Sequence, residues 1–166
     1  FGGIRRTTNA DGSATTSYAR IRPKQGATPS GLTIFEIRSS SGFLREVAVP
    51  AARLITTGRT FFEVRQNGAI NTGLVFTNPN SPDATVDFEL RSVDGEIFRT
   101  GTFTISSRNQ LAAFLDDRPF SSGRDNEGTL TFTSSSPIAV VALRQLYYEG
   151  TSPEWSSTAN LSSTCL

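Results

Sequence analysis

Hydrophobic and polar residues alternate along most of this chain. The clearest example is the segment Ala84–Leu90, in which every second residue is apolar and the residues between are polar or charged. A period of two is typical of a β-strand that buries one face. No segment sustains a helical hydrophobic stripe beyond about two turns. The pattern therefore predicts an all-β chain.

Turn residues separate the alternating segments and indicate antiparallel hairpins. Asp94-Gly95 is the strongest short hairpin signal in the chain. The run Asn78–Asp83 is rich in Asn, Pro, Ser and Asp, which favours a turn that ends the preceding strand. The predicted hairpins are Leu32–Arg38 with Phe43–Val49, Thr60–Arg65 with Gly73–Thr77, and Ala84–Leu90 with Glu96–Thr100.

Further short strands are predicted after these hairpins. Ile138–Leu143 is apolar on both faces, which is typical of a central strand covered on both sides. About nine short strands with turns between them predict an antiparallel β-sandwich of the immunoglobulin-like or pilin-like kind, with a barrel as the alternative. The additional strands are Thr102–Ile105, Gln110–Leu115 (or one helical turn), Thr129–Thr133 and Ile138–Leu143, with Gln145–Tyr148 as a continuation of the last.

The two ends of the chain differ from the middle. Residues 1–23 form a polar N-terminal extension in which Ser17–Arg22 alternates as a candidate connecting strand. Residues 150–166 form a Ser/Thr-rich tail with Trp155 as its only aromatic side chain, and this tail is the second choice for a connecting strand. Neither end has enough apolar surface to offset the entropy of ordering it alone. We therefore predict a sandwich domain over 24–149 with an extension on each side.

Composition excludes several function classes. The 166 residues carry 16 basic and 15 acidic side chains, a net charge of +1, which argues against a nucleic-acid partner. Because the chain has no histidine, catalytic imidazole and His-ligated metal sites are excluded. No run approaches the roughly 18 apolar residues that a membrane span needs. The single cysteine, Cys165, cannot close an internal disulfide, so it is either a solvated thiol or a crosslink to another chain.

Several features predict an extracellular protein. The chain starts at Phe1 rather than Met, which suggests that a leader is removed or that the start lies elsewhere. Serine and threonine make up about a quarter of the residues, as in surface proteins that carry O-linked sugars. Asn160-Leu161-Ser162 matches the N-glycosylation acceptor pattern. We therefore expect Asn160 as a candidate glycosylation site on a secreted or cell-surface chain.

The acidic residues offer little chemistry. Asp116 and Asp117 are adjacent, and a following proline favours a loop over a catalytic cleft. The run Asp125–Gly128 offers oxygen ligands, but it lacks the alternating spacing of a calcium loop. We predict no catalytic residue, no metal site and no cofactor, and hence a protein that is not an enzyme.

A carbohydrate-binding module is the main alternative. Such modules stack aromatic rings on sugars, and Tyr147, Tyr148 and Trp155 are the candidates for that role. Tyr147 and Tyr148 are adjacent, so on a strand only one of them faces a given surface. Packing in the core or at an interface is the competing role for these rings.

The order of short motifs from Tyr18 to Leu146 resembles a known kind of domain. The motifs are Tyr18-Ala19-Arg20-Ile21, Ser30-Gly31-Leu32, Val49-Pro50-Ala51, Asn71–Leu74, Asn78-Pro79, Val86-Asp87-Phe88, Asp94-Gly95, Gln110–Leu115, Gly128-Thr129-Leu130 and Ser135–Arg144. In this order they resemble an uncharacterised β-sandwich domain of secreted bacterial surface proteins, often found in tandem repeats. The resemblance implies a non-enzymatic, extracellular role and brings no catalytic residues.

A polar leader before a sandwich is also similar in layout to pilus and fibre subunits that exchange donor strands. The resemblance implies head-to-tail assembly of identical subunits by β-strand addition. Ile4, Tyr18, Ala19 and Ile21 are then the candidate subunit-interface residues, while the competing reading pairs Ser17–Arg22 with its own domain. The sequence therefore favours a structural subunit of an extracellular filament, with a glycan-binding or adhesive module as the alternative.

Overall fold

The computed structural model describes residues 18–20, 24–27, 31–39, 42–65, 69–146 and 154–156. Within these ranges the chain forms strands and turns and no helix, which confirms the predicted all-β class. The strands in this part of the chain are β1 (Leu32–Ser39), β2 (Gly42–Pro50), β3 (Leu54–Val64), β4 (Ile70–Thr77), β5 (Ala84–Ser92), β6 (Ile97–Ile105), β7 (Gln110–Phe114), β8 (Asn126–Leu146) and β9 (Glu154–Ser156).

A single antiparallel sheet is organised around the long strand β8. The first part of β8 pairs with β3 on one edge and with β5 on the other, and its last part pairs with β4. β3 also pairs with Ile138 and Ala139, so it stays on its own edge of β8 up to the point where β4 begins to pair. β5 and β4 therefore follow one another along the opposite edge of β8. β6 flanks β5, β7 flanks β4, and β9 pairs with the end of β8, whereas β1 and β2 form a separate hairpin.

The sheet curls over on itself around a cluster of phenylalanines. The ring of Phe76 on β4 lies 5.3 Å from the ring of Phe103 on β6, although β8 and β5 separate these strands in the sheet. Phe76 also meets Phe132 at 5.3 Å, edge to face. Phe120, from the turn after β7, closes the cluster at 5.1 Å from Phe88. Edge-to-face ring pairs of this kind contribute about 0.5–1.5 kcal/mol each beyond the area that they bury.

β8 runs without interruption through the segment that was predicted as a break. The sequence favours two strands, Thr129–Thr133 and Ile138–Leu143, and this prediction is wrong. The pairing of β5 ends at Ser134, that of β4 begins at Ala139, and β3 skips from Thr133 to Ile138. Pro137 therefore lies where the ladder requires no N–H group, which is where a strand tolerates proline.

The predicted hairpin of Thr60–Arg65 with Gly73–Thr77 is also wrong. Among the described residues, β3 and β4 share backbone hydrogen bonds only at the base of their turn, where Arg65 and Ile70 exchange bonds of 2.9 and 3.1 Å. Beyond this point β3 pairs with β8, and β4 lies between β7 and β8. The reason is that β8 offers each strand a longer ladder, along opposite edges.

Other local predictions are confirmed. β1 pairs with β2 and β5 pairs with β6, as the turn residues indicate. The β5–β6 turn is closed by a 3.0 Å hydrogen bond from the N–H of Gly95 to the carbonyl of Ser92, and Gly95 adopts a φ of +85°. Glu96–Thr100 and Thr102–Ile105 join into one strand, β6, and Gln110–Phe114 is the strand β7.

Glycines face phenylalanines across the sheet. In one row that crosses four strands, Gly58, Phe132, Phe88 and Gly101 are direct neighbours in register. A Cβ atom on Gly101 would lie 2.6 Å from the Phe88 ring, and one on Gly58 would lie 2.6 Å from the Phe132 ring. The two large rings thus occupy the space above the glycines, an arrangement that compensates glycine at the edge of a sheet.

The substitution Gly101→Ala is expected to lower the free energy of unfolding by about 1–3 kcal/mol, the usual cost of overpacking. The Phe88 ring is buried and contacts Phe103 and Phe120, so it cannot move aside. Gly73→Ala is the matched control, because its new Cβ would lie 3.2 Å from the Phe114 ring. Urea denaturation of both variants tests this expectation, and equal midpoints would contradict it.

Candidate functional site

The outer edge of β6 is called here the β6 edge. β6 ends the strand order, and among the described residues only β5 pairs with it. The strand is nine residues long and carries one charged side chain, Arg99. A long edge with few charges is suited to accept another strand, since its unpaired N–H and C=O groups can continue the ladder.

Exposed apolar side chains lie beside the start of the β6 edge. Val93 is 64% exposed, Ile97 is 48% exposed and Phe98 is 41% exposed. Phe98 also contacts the buried ring of Phe62, with centroids 6.3 Å apart, so its position is fixed by the core. Apolar groups that project next to an open edge are typical of an interaction surface.

The outer edge of β3 differs from the β6 edge because a side chain occupies it. The hydroxyl of Thr72 accepts a hydrogen bond from the N–H of Glu63 at 2.9 Å and donates one to its carbonyl at 3.2 Å. This contact satisfies both backbone groups of Glu63 at once. At the β6 edge, the described side chains that bond the backbone reach only the last residue, where the Asn78 amide donates to the carbonyl of Ile105.

A network of ion pairs further holds β3 to β8. Arg144 donates through Nε and Nη2 to the same oxygen of Glu63, at 3.0 and 2.7 Å. Arg65 contacts Glu63 at 3.1 Å and also pairs with Glu127. The pKa of the Arg65 guanidinium is raised, mainly by the hydrogen bond and the charge of Glu127. These charges link strands within the chain, which is a structural role.

A second candidate surface is a groove of about 800 Å³, called here the arginine groove. The Arg20 Nη1 donates to the carbonyl of Pro79 at 3.1 Å, and the Arg108 Nη2 donates to the Ser81 hydroxyl at 3.2 Å. Both guanidinium groups are exposed and keep further N–H donors directed to solvent. The groove is lined by Tyr18, Arg20, Pro79, Asn80, Ser81, Pro82 and Arg108.

The outer face of β5 forms a third, shallower groove of about 420 Å³. Thr102 donates to the Asp87 carboxylate at 2.5 Å, and Arg91 pairs with Glu89 at 2.5 Å. The carboxylates of this face are therefore engaged within the chain. The threonine hydroxyl groups of this groove can hydrogen-bond a polar ligand, but they do not favour one class of ligand over another.

The predicted subunit-interface residues fall partly within the structure. Tyr18 and Ala19 are exposed, and Tyr18 lines the arginine groove, whereas Ile4 and Ile21 lie outside the described residues. Residues 18–20 are not in a strand within this chain, and the use of Ser17–Arg22 as a connecting strand between subunits stays a prediction. At this point the Arg20 side chain, rather than a backbone ladder, bonds the domain.

The remaining candidate residues lie mostly near the C-terminus. Trp155 is in β9, whose backbone pairs with the end of β8 opposite Gln145. Tyr147, Tyr148, Asn160 and Cys165 lie outside the described residues. Of the three candidate glycan-binding residues, only Trp155 therefore lies within the described residues.

The acidic residues considered for catalysis or calcium have structural partners. Asp116 accepts a 2.6 Å hydrogen bond from the Asn71 amide, and the backbone N–H of Asp117 closes a turn to Phe114. Asn126 and Glu127 begin β8, where Glu127 pairs with Arg65. Across the residues described, no group of three or more His, Cys, Asp or Glu side chains is arranged to hold a metal ion.

The sequence analysis missed the β6 edge and the arginine groove. The run Ile97–Ile105 is rich in β-branched and aromatic residues and has one charge, and this composition is a sequence signal for an edge that can accept another strand. The arginine groove has no such signal in the sequence, because Arg20 and Arg108 are 88 positions apart. They are brought together only by the packing of the β4–β5 turn and the β6–β7 turn.

Comparison with known proteins identifies no family. No family model matches the chain, and no curated protein matches it. Among solved structures, the chain is similar to the Anabaena sensory rhodopsin transducer, with 19% identity over 53% of this chain and 88% of that one, at a TM-score of 0.43. It is also similar to Thermotoga maritima 1070, with 13% identity over 64% and 91% of the two chains, at a TM-score of 0.47. Likenesses at these scores support no inference about function.

The structure also bears on membrane insertion. Within the described ranges, no helix has the length and apolar character needed to cross a bilayer.

Proposed function

We propose that this chain is a non-enzymatic structural subunit of an extracellular bacterial filament or surface fibre, assembled head-to-tail by β-strand addition between identical subunits. The observation that carries the proposal is the β6 edge. β6 is a nine-residue strand at one end of the sheet, and among the described residues it pairs only with β5. In this proposal the two ends of the curled sheet serve as the layers of a pilin-like sandwich of about nine short strands.

The N-terminal extension Phe1–Pro23 is the proposed donor. It has more residues than β6, so it is long enough to cover the whole edge. Ile4 would contribute roughly 1.5–3 kcal/mol on burial, and each ladder hydrogen bond about 1 kcal/mol. Tyr18 and Ala19 would lie at the point where the extension leaves its own domain.

The position of Tyr18–Arg20 gives the donor a direction. This segment lies beside the turn between β4 and β5, where Arg20 bonds Pro79. β6 runs from the β5–β6 turn at the opposite end of the hairpin back towards this end. A donor that enters a neighbour's β6 edge at Ile97 and extends towards Ile105 therefore runs antiparallel to β6, which matches the pairing of the sheet.

We expect deletion of Phe1–Pro23 to leave monomers, because it removes the donor and keeps all the strands from β1 to β9. We expect the double variant Thr102→Lys, Thr104→Lys to raise the concentration needed for assembly at least tenfold, since lysine on an edge disfavours strand addition. The control is Thr85→Lys, Thr133→Lys, which adds the same charge on the same face of the interior strands β5 and β8.

Sedimentation velocity and negative-stain imaging of the full chain and the variants test the proposal. Fibres with a regular axial repeat, lost on deletion and weakened by the edge lysines alone, support it. Full-length protein that remains dispersed at every concentration contradicts the function. Fibres that persist after the deletion contradict the assignment of the donor.

A further inference from the structure

The two ends of the β5–β6 hairpin differ in charge. At the turn end, Asp94 and Glu96 are both exposed. At the other end, Arg20 and Arg108 line the arginine groove. β5 contains nine residues, which separates the two ends by about 30 Å at 3.3–3.4 Å per residue. The β5–β6 hairpin therefore has two exposed carboxylates at its turn end and two guanidinium groups at its other end.

The arginines of the groove have no acidic partner among the residues described. Arg65, Arg91 and Arg144 each pair with a glutamate, whereas Arg20 and Arg108 bond only a carbonyl and a hydroxyl. Asp83, which precedes β5 at this end, accepts the backbone N–H of Ser107 at 2.7 Å, and none of the described residues that line the groove is acidic. The groove therefore keeps free guanidinium donors, which suit carboxylates in bidentate geometry.

The backbone holds Arg108 in a fixed and uncommon conformation. Its φ is +53°, a region that residues other than glycine rarely occupy. Its N–H donates to the carbonyl of Asn80 at 3.0 Å, which ties the turn between β6 and β7 to the turn between β4 and β5. Residues kept in such conformations cluster at binding sites, because the surrounding structure must compensate the strain.

The turn Val93–Glu96, called here the acidic tip, is equally well defined. The carbonyl of Ser92 accepts the N–H of Gly95, and the N–H of Ser92 donates to the carbonyl of Glu96 at 2.9 Å. Arg91 donates through Nη1 to the carbonyl of Gly95 at 3.0 Å, and its charge is paired with Glu89. The tip thus presents two carboxylates and the exposed Val93 on a rigid hairpin.

We propose that the acidic tip of one subunit docks in the arginine groove of the next copy of this chain. Asp94 and Glu96 pair with Arg20 and Arg108 of the neighbour, and Val93 packs against the ring of Tyr18. Because the two surfaces are different and lie at opposite ends, the contact is heterologous and generates a filament unless rotation closes a ring. The inference rests on the proposed function, and it adds the contact that sets its polarity.

Docking in this way also connects to strand addition. Tyr18 and Arg20, which line the groove, directly follow residues 1–17 of the proposed donor, and the acidic tip of the neighbour continues directly into its β6 edge at Ile97. Once the tip is seated, the donor of one subunit lies at the start of the edge that it is proposed to cover. The charged contact therefore selects the partner, and the backbone ladder extends from it.

Reciprocal charge reversal tests this contact. One variant carries Arg20→Glu and Arg108→Glu, and the other carries Asp94→Arg and Glu96→Arg, all at exposed positions. Each variant alone opposes like charges, so we expect a rise of at least tenfold in the concentration needed for assembly. In an equimolar mixture every tip meets a groove of opposite charge, so we expect alternating fibres that form at the wild-type concentration.

Two controls separate docking from folding and from general charge effects. Circular dichroism and thermal unfolding of each variant establish that it is folded. Arg53→Glu with Arg59→Glu makes the same change of charge at exposed positions outside the arginine groove, and we expect it to assemble as the wild type does.

Each outcome decides one of the two proposals. If the wild type forms fibres and either reversed variant forms them equally well, or the mixture fails to recover, docking is overturned and strand addition is unaffected. If the wild type stays monomeric, the proposed function fails. Retention of that monomer on immobilised heparin, lost with Arg20→Glu and Arg108→Glu, would instead assign the groove to an anionic saccharide and would overturn docking by the tip.

Discussion

Replacing Asn78 with aspartate is expected to lower the free energy of unfolding by about 3–5 kcal/mol at neutral pH, because it buries a charge and turns one carboxylate oxygen towards backbone carbonyls. Asn78 is fully buried between β4 and the end of β6. Its amide group donates to the carbonyl of Pro82 at 2.9 Å and to that of Ile105 at 3.1 Å. Its side-chain oxygen accepts the N–H of Asn80 at 3.0 Å. An aspartate would direct carboxylate oxygen at the two carbonyls.

The loss should depend on pH in a specific direction. Burial and the facing carbonyls would raise the pKa of the new carboxyl in the folded state above its ordinary value of about 3.9. The folded variant then binds a proton more readily than the unfolded chain does. Its stability deficit is therefore expected to shrink as the pH falls from neutral towards about 4, and to grow again as the pH rises.

Asn80→Asp is the matched control for this prediction. It makes the same chemical change two residues away, where the Asn80 amide donates to the carbonyl of Pro137 at the surface. We expect it to cost about 1 kcal/mol or less. Urea denaturation at several pH values measures both variants. Similar losses in the two variants, or no pH dependence for Asn78→Asp, would contradict the role given to the buried amide.

The sequence allowed the local fold to be predicted better than the long-range pairing. The alternation in Ala84–Leu90 and the Asp94-Gly95 turn act between neighbouring residues, so they indicate the β5–β6 hairpin correctly. The pairing of β3 with β8 joins residues such as Thr60 and Leu130, and no local signal encodes it. Asn78 was predicted within a turn, but its burial depends on β6, which comes later in the chain.

The continuous course of β8 illustrates how local rules mislead. Three serines and Pro137 in succession are typical of a break between strands. In the structure, this is where β8 passes from one partner to the next, so the missing N–H of Pro137 removes no ladder bond. In this curled sheet, β8 pairs with β5 along its first part and with β4 along its last part. The unpaired residues between the two parts are where the strand changes partner.

The candidate site shows the same division between local and long-range information. The low charge of Ile97–Ile105 is visible in the sequence, but its position at the end of the sheet follows from the strand order. Arg20 and Arg108 are ordinary surface arginines in the sequence, and only the packing of two turns places them in one groove. Predicting such a site requires the topology first.

Gly128→Ala is expected to lower the free energy of unfolding by about 3–5 kcal/mol, at the upper end of what overpacking costs. Gly128 is buried near the start of β8 and lies directly opposite Ser92 of β5. A Cβ atom at this position would lie 1.8 Å from the carbonyl oxygen of Arg91 and 3.1 Å from the Cα atom of Ser92. Because these are backbone atoms, the contact can be relieved only by separating β5 from β8.

Gly95→Ala distinguishes this contact from the general effect of replacing a glycine. Gly95 adopts a φ of +85°, and a Cβ atom there would have no neighbour within 4 Å. Its substitution should therefore cost only the conformational strain, about 1–2 kcal/mol. The difference between the two urea midpoints measures how closely the backbones of β5 and β8 approach each other. If Gly128→Ala were no more destabilising than Gly95→Ala, the close approach that holds the first part of β8 against β5 would not exist in solution.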